Sequence, residues 1–152
     1  MNSLNRALDL LIAAVPRWLW AVGTALCACV IIWAGQRPAS TLKGMSVLPP
    51  GHDKVLHAVA YAGLTACAFR FFYPLRAKVK PEVPVAWLGV LLVPALVGGL
   101  DEFLQGWAQR GRSADWRDWV ADMTGATLTL CWGLWLREKA RKGGGRARLR
   151  GK

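Results

Sequence analysis

The second and fourth apolar blocks of this sequence are too short to cross a membrane by themselves. A helix needs roughly 20 residues to span the hydrocarbon core of a bilayer. Only 15 residues between Lys54 and Arg70, and 14 residues from Met123 to Leu136, are free of permanent charge. Each block reaches the required length only if its helix also contains the polar residues that precede it. The chain is therefore predicted to carry ionisable side chains inside a membrane domain.

Hydrophobic residues make up 54% of the 152-residue chain and fall into four blocks, which is typical of a polytopic membrane protein. We predict an all-α fold with four transmembrane helices, at about 18–36, 53–73, 83–105 and 116–136. The membrane domain covers 17–136, after an amphipathic segment at 1–16 and before a basic, flexible tail at 137–152. No long extramembrane segment remains within this chain, so any chemistry is expected at the helix ends and in the short loops.

The distribution of basic residues predicts which side of the membrane each loop occupies. If the N-terminus is inside, 14 Lys and Arg residues lie on the cytoplasmic side and 6 lie on the other side. The tryptophans fall near both predicted interfaces, where aromatic belts are common. Both termini are therefore predicted to be cytoplasmic.

The net charge of +11 is concentrated at the C-terminus. Eight of the 20 basic residues lie in the last 16 positions, around three consecutive glycines. No aromatic side chain is interleaved with them, which argues against nucleic acid as a partner. We expect this tail to contact anionic lipids.

The sequence predicts a polar cluster at the non-cytoplasmic ends of three helices. Residues spaced by three or four positions share one face of a helix. The candidates are Asp53, Lys54, His57 and Tyr61 on the second helix, Asp101, Glu102 and Gln105 on the third, and Arg112, Asp118 and Asp122 at the start of the fourth. Ionisable groups inside a span cost several kcal/mol unless they pair or line a wet cavity, so such a cluster is by default a candidate functional site.

A purely structural interpretation of the same residues stays open. Lys54 with Asp101, and Arg112 with Asp118, are candidate ion pairs that would join short helices, and Asp115 is a candidate helix cap. Taken singly, each pair favours this interpretation. Their convergence on one level of the membrane favours a functional site.

Three motifs in order resemble the VanZ-like family of integral membrane proteins. They are Asp53-Lys54-x-x-His57-x-x-x-Tyr61-x-x-Leu64, then Asp101-Glu102-x-x-Gln105, then Gly111-Arg112 followed by Asp118 and Gly125. The chain departs from the family pattern at Asp122, where many members have Asn. The resemblance implies a bacterial cytoplasmic membrane protein with a site at the outer face. The family is named for a protein associated with teicoplanin resistance, so a link to glycopeptide resistance is also implied.

We therefore consider two main functions for the cluster. In the first, an enzyme acts on an envelope lipid or precursor headgroup, with His57 as the acid/base group and Asp101 or Glu102 as its carboxylate partner. Lys54 and Arg112 would then hold an anionic group such as phosphate. In the second, a binding or accessory protein recognises the headgroup without turnover. Transport is the weakest alternative because four helices are few for a pathway and no inverted repeat is visible.

The residue types leave the cofactor open. A metal variant of the enzyme would use His57 with Asp53, Asp101 or Glu102 as ligands. One histidine among carboxylates has no diagnostic metal spacing, so we assign no metal site from the sequence.

Overall fold

The computed structural model describes residues 14–37, 52–73, 84–108 and 115–150, and in these ranges the chain is helical, without strands. The helices are α1 (Arg17–Gly35), α2 (His52–Phe72), α3 (Pro84–Ala108) and α4 (Trp116–Arg150). The predicted all-α fold is confirmed. The predicted amphipathic segment at 1–16 lies almost entirely outside the described residues.

Three of the described helices are long and apolar enough to cross a membrane. These segments are Arg17–Gly35, Lys54–Phe72 and Ala86–Ala108. Large apolar side chains remain exposed on their surfaces, and α1 contributes no buried residue at all. So much exposed apolar surface suits lipid rather than water as the surrounding medium. These helices indicate a membrane protein.

The last helix, α4, is longer and more polar than the other three. It begins at Trp116, where the sequence predicts a helix start, but continues to Arg150, whereas the prediction ended at 136 with a flexible tail. The residues immediately after Leu136 are mostly strong helix formers, so the backbone has no local reason to break there. Asp118 and Asp122 lie in the first two turns of α4.

The centre of the bundle is the contact between α2 and α4. A stripe on α2 is fully buried, and it consists of Tyr61, Leu64, Thr65 and Ala68. These positions are spaced by three, one and three, so they form one face of the helix. The predicted inward face of the second helix, which contained Tyr61 and Leu64, is therefore the face that packs.

Two glycines allow α4 to approach α2 closely. A Cβ built on Gly125 would collide with the carbonyl group of Ala58 and would lie 2.9 Å from its Cα. A Cβ on Gly133 would lie 2.9 Å from the Cζ of the Phe69 ring. Because both contacts advance in the same direction along the two helices, α2 and α4 run parallel and share the same depth over these turns.

Candidate functional site

The predicted polar residues gather at one end of the bundle. This end contains the first turns of α2 and α4, the last turns of α3 and the residue after α1. Asp122 and Asp101 are 1% and 2% exposed, and Gln105 and Asp118 are also buried. Buried carboxylates persist only with hydrogen-bond or charge partners, so the partners define the site.

His57 is hydrogen-bonded to Asp122. The distance from His57 Nδ1 to Asp122 Oδ1 is 3.0 Å, and the side chains are 14% and 2% exposed. The sequence pointed to Asp101 or Glu102 as the carboxylate partner, whereas this hydrogen bond joins α2 to α4. Its cause is the close crossing at Gly125, which lies one turn after Asp122 and brings α4 against the turn of α2 that carries His57.

Lys54 forms an ion pair with the start of α4. Its Nζ lies 2.5 Å from Asp118 Oδ1 and 3.7 Å from Asp115 Oδ2. The sequence suggested Asp101 as the partner of Lys54, so the structure changes that assignment. The Lys54 side chain is 46% exposed, which places it at the rim of the cluster rather than in its interior. Because Asp118 itself is buried, Lys54 supplies the charge partner that this carboxylate needs from the rim.

Asp101 ties the end of α1 to α3. Its Oδ2 accepts a hydrogen bond from Gln105 Nε2 at 2.8 Å, and its Oδ1 accepts one from Gln36 Nε2 at 3.3 Å. A Cβ on Gly35 would collide with this carboxylate, so a larger residue there would displace the Asp101 side chain. Gln36 is a member of the cluster that sequence reasoning missed. Gln36 follows an apolar span, and no polar residue lies three or four positions before it to mark a helix face.

Glu102 supports the start of α4. Its Oε2 accepts a hydrogen bond from the backbone N–H of Asp115 at 2.7 Å. Asp115 in turn accepts a hydrogen bond on Oδ1 from the backbone N–H of Arg117 at 2.9 Å, which is the geometry of a helix N-cap. The predicted capping role of Asp115 is confirmed. Glu102 therefore connects the last turns of α3 to the N-cap residue of α4.

Tyr61 closes the inner side of the cluster. The residue is 1% exposed, and its hydroxyl has no hydrogen-bond partner among the described residues. The carboxylates of Asp122, Asp101 and Glu102 all lie close enough to act on this hydroxyl electrostatically. The Tyr61 hydroxyl faces the buried acids and can donate a hydrogen bond to a ligand that binds beside them.

Two predicted site residues cannot be placed. Arg112 and the side chain of Asp53 lie outside the described residues, although the backbone of Asp53 belongs to α2. In the part of the chain that the structure describes, no group of three or more His, Cys, Asp or Glu residues is arranged to hold a metal ion. The arrangement there is a histidine–carboxylate pair, a rim lysine and four further acids.

Comparison with family models, curated proteins and solved structures finds no match for this chain. The site is therefore interpreted from its own geometry and from the motif spacing in the sequence.

Proposed function

We propose that this chain is a VanZ-like protein of the bacterial cytoplasmic membrane. In this proposal it crosses the bilayer four times with both termini in the cytoplasm, and its outward-facing polar pocket binds or acts on the headgroup of an envelope lipid or lipid-linked precursor. The observation that carries the functional part is the partly buried pair of His57 and Asp122, with His57 Nδ1 3.0 Å from Asp122 Oδ1. A paired histidine among membrane-depth carboxylates is the arrangement expected of an acid/base group.

The packing of α4 supports a fourth span. Gly125 lies on the backbone of Ala58 and Gly133 lies on the ring of Phe69, so α4 follows α2 through most of its apolar length. Because the segment Lys54–Phe72 is apolar enough to cross a membrane, a parallel helix packed along it lies at the same depth. The acids in the first turns of α4 are then stabilised by Lys54 and His57 of α2.

Cysteine labelling tests the proposed topology. A membrane-impermeant maleimide applied to intact cells is expected to label Ser113→Cys, in the loop before α4, and not Gly144→Cys, near the C-terminus. The natural cysteines Cys27, Cys29, Cys67 and Cys131 are replaced by Ala or Ser in both variants. Labelling after detergent lysis shows that both sites can react. The reverse pattern in intact cells would refute the orientation.

The charges in the pocket suggest how a headgroup would lie. Five described acids gather at the pocket: Asp101, Glu102, Asp115, Asp118 and Asp122. Lys54 pairs with Asp115 and Asp118, and His57 pairs with Asp122. A phosphate would be repelled by the buried acids, so it would sit at the rim beside Lys54. Arg112, which lies outside the described residues and four positions before Trp116, would be the second candidate for that contact. Hydroxyl or amine groups of the ligand would face the interior.

The histidine pair suggests the chemistry. An ionised Asp122 only accepts hydrogen bonds, so the pairing holds the ring proton on His57 Nδ1 and leaves the lone pair on Nε2. That nitrogen is the one that would take a proton from a ligand hydroxyl or an attacking water. A positioned acid/base group of this kind contributes about 100-fold to 10,000-fold in rate.

One comparison separates an enzyme from a binder. Purified protein in nanodiscs is incubated with an undecaprenyl diphosphate probe, and probe retention and headgroup release are measured together. We expect His57→Ala and Glu102→Gln to retain the probe but to lower release at least about 100-fold. Lys54→Met is expected to weaken retention about fivefold, while Lys139→Met, in the second half of α4 and away from the polar cluster, leaves it unchanged.

The outcomes of that comparison are distinct. Parallel loss of retention and release in His57→Ala would support the binding protein over the enzyme, and absence of retention by the wild type would refute headgroup recognition of this probe class. A link to teicoplanin resistance comes from the family resemblance alone. Expression in a sensitive host, with the inhibitory concentration compared between wild type and His57→Ala, tests it.

A further inference from the structure

An apolar groove opens between α1, α2 and α3, toward the end of the bundle opposite the polar cluster. Its volume is about 320 Å³. The α1 wall consists of the small side chains Ala21, Thr24, Ala25 and Ala28, which share one face of the helix. The Thr24 hydroxyl donates a hydrogen bond to the carbonyl oxygen of Trp20 at 2.8 Å, so it presents no unsatisfied polar group to the groove. The opposite walls are aromatic and aliphatic.

Two arginines lie at the mouth of this groove. Arg17 is on the same face of α1 one turn before Ala21, and its Nε donates a hydrogen bond to the carbonyl oxygen of Phe71 at 2.7 Å. Its guanidinium carbon lies 4.7 Å from the centre of the Phe71 ring, which lines the groove. Arg70 reaches in the opposite direction, from α2 to the ring of Trp20, at 5.4 Å. Both guanidinium groups therefore bridge α1 and α2. Phe71 lines the groove itself, and Trp20 is next in sequence to the lining residue Ala21.

We propose that this groove binds one acyl chain of an anionic phospholipid, with the lipid phosphate held between Arg17 and Arg70. The groove is apolar along its length and contains no acidic residue in its lining. A guanidinium group presents a planar fork of N–H donors that matches phosphate oxygens, and aromatic contacts hold both forks in place. In a phospholipid the phosphate is linked through glycerol to the acyl chains. This arrangement matches a site with arginines at one end and an apolar groove beside them.

The charge of the headgroup distinguishes between phospholipids whose acyl chains would fit the groove equally well. A zwitterionic lipid would fill the groove equally well, but its ammonium group would offset the attraction of the arginines. An anionic lipid gains about 1 kcal/mol for each basic residue near the membrane surface. The site does not rest on the proposed function, because it lies away from His57 and needs none of the cluster residues.

Native mass spectrometry of the full chain tests the proposal. The protein is equilibrated in detergent with equal amounts of phosphatidylglycerol and phosphatidylcholine that have identical acyl chains, and the ratio of bound lipids is measured. The wild type is expected to retain phosphatidylglycerol preferentially. Arg17→Gln and Arg70→Gln are each expected to lower the ratio about fivefold. Ala25→Phe fills the groove and is expected to lower retention of both lipids.

Matched variants keep the test specific. Arg37→Gln removes an arginine that stacks on Trp33 at the other end of α1, and Ala66→Phe enlarges an exposed alanine outside the groove. Both are expected to behave like the wild type. Arg17→Lys keeps the charge and is expected to preserve most of the preference, which separates a lost charge from a lost fold.

Three results would overturn the proposal. The first is equal retention of the two lipids by the wild type. The second is an unchanged ratio in both arginine variants when their elution volume and helicity match the wild type. The third is a dimer that dissociates on Ala25→Phe, which would identify the groove as an interface between copies of this chain.

Discussion

Gly125→Ala is expected to lower the free energy of unfolding by about 3 kcal/mol, near the top of the range for overpacking. The added methyl group would collide with the carbonyl group of Ala58 on α2. Main-chain atoms cannot rotate away as the end of a flexible side chain can, so α4 would have to move outward. That shift would also separate Asp122 from His57. Unfolding with SDS in mixed micelles, followed by circular dichroism, measures the change.

Two other helical glycines provide the control. A Cβ on Gly63 or Gly99 would have no heavy atom within 4 Å outside its own neighbourhood. Alanine has a higher helix propensity than glycine, so Gly63→Ala and Gly99→Ala are expected to be neutral or to stabilise by up to about 1 kcal/mol. If Gly125→Ala is as stable as these two variants, then α2 and α4 do not cross at this glycine.

The positions of the helices could largely be predicted from the sequence. The predicted spans 18–36, 53–73 and 83–105 lie close to α1, α2 and α3, because apolar blocks and the charges around them fix where a spanning helix begins and ends. The predicted fourth span, 116–136, begins where α4 begins, and α4 continues past 136 to Arg150. Charged residues after Leu136 end an apolar block, but they do not end a helix.

The pairing inside the cluster could not be predicted. Spacing shows which residues share a helix face, and loop charges indicate which helix ends share a side. Neither fixes how far each helix is rotated or how deeply it is set. Those details decide that His57 meets Asp122 and that Lys54 meets Asp118. The sequence contained one signal for the contact between α2 and α4. Asp118, Asp122 and Gly125 share one face of α4, and the small residue Gly125 marks that face as the one that packs.

The contribution of the histidine pair can be measured without a known ligand. Asp122→Ala removes the acceptor that this residue offers to His57 Nδ1, and it is expected to lower the free energy of unfolding by about 2 kcal/mol. His57→Ala leaves a buried carboxylate without that donor and is expected to cost a similar amount. Asp122→Asn keeps a carbonyl oxygen that accepts the same hydrogen bond, so most of the stability is expected to remain.

The double variant decides whether the two residues act together. If the hydrogen bond is formed in the membrane, His57→Ala combined with Asp122→Ala is expected to cost less than the two single variants added, by about 1 kcal/mol or more. Asp122→Asn also separates the two roles of the pair, because it preserves the bond but removes the charge that stabilises a protonated ring. It is therefore expected to fold well and, because many members of the VanZ-like family have Asn at this position, to keep binding the headgroup probe, so a lower rate of headgroup release would measure the contribution of the charge. Full additivity in the double variant would mean that the pair does not form, and the proposed function would lose the observation that carries it.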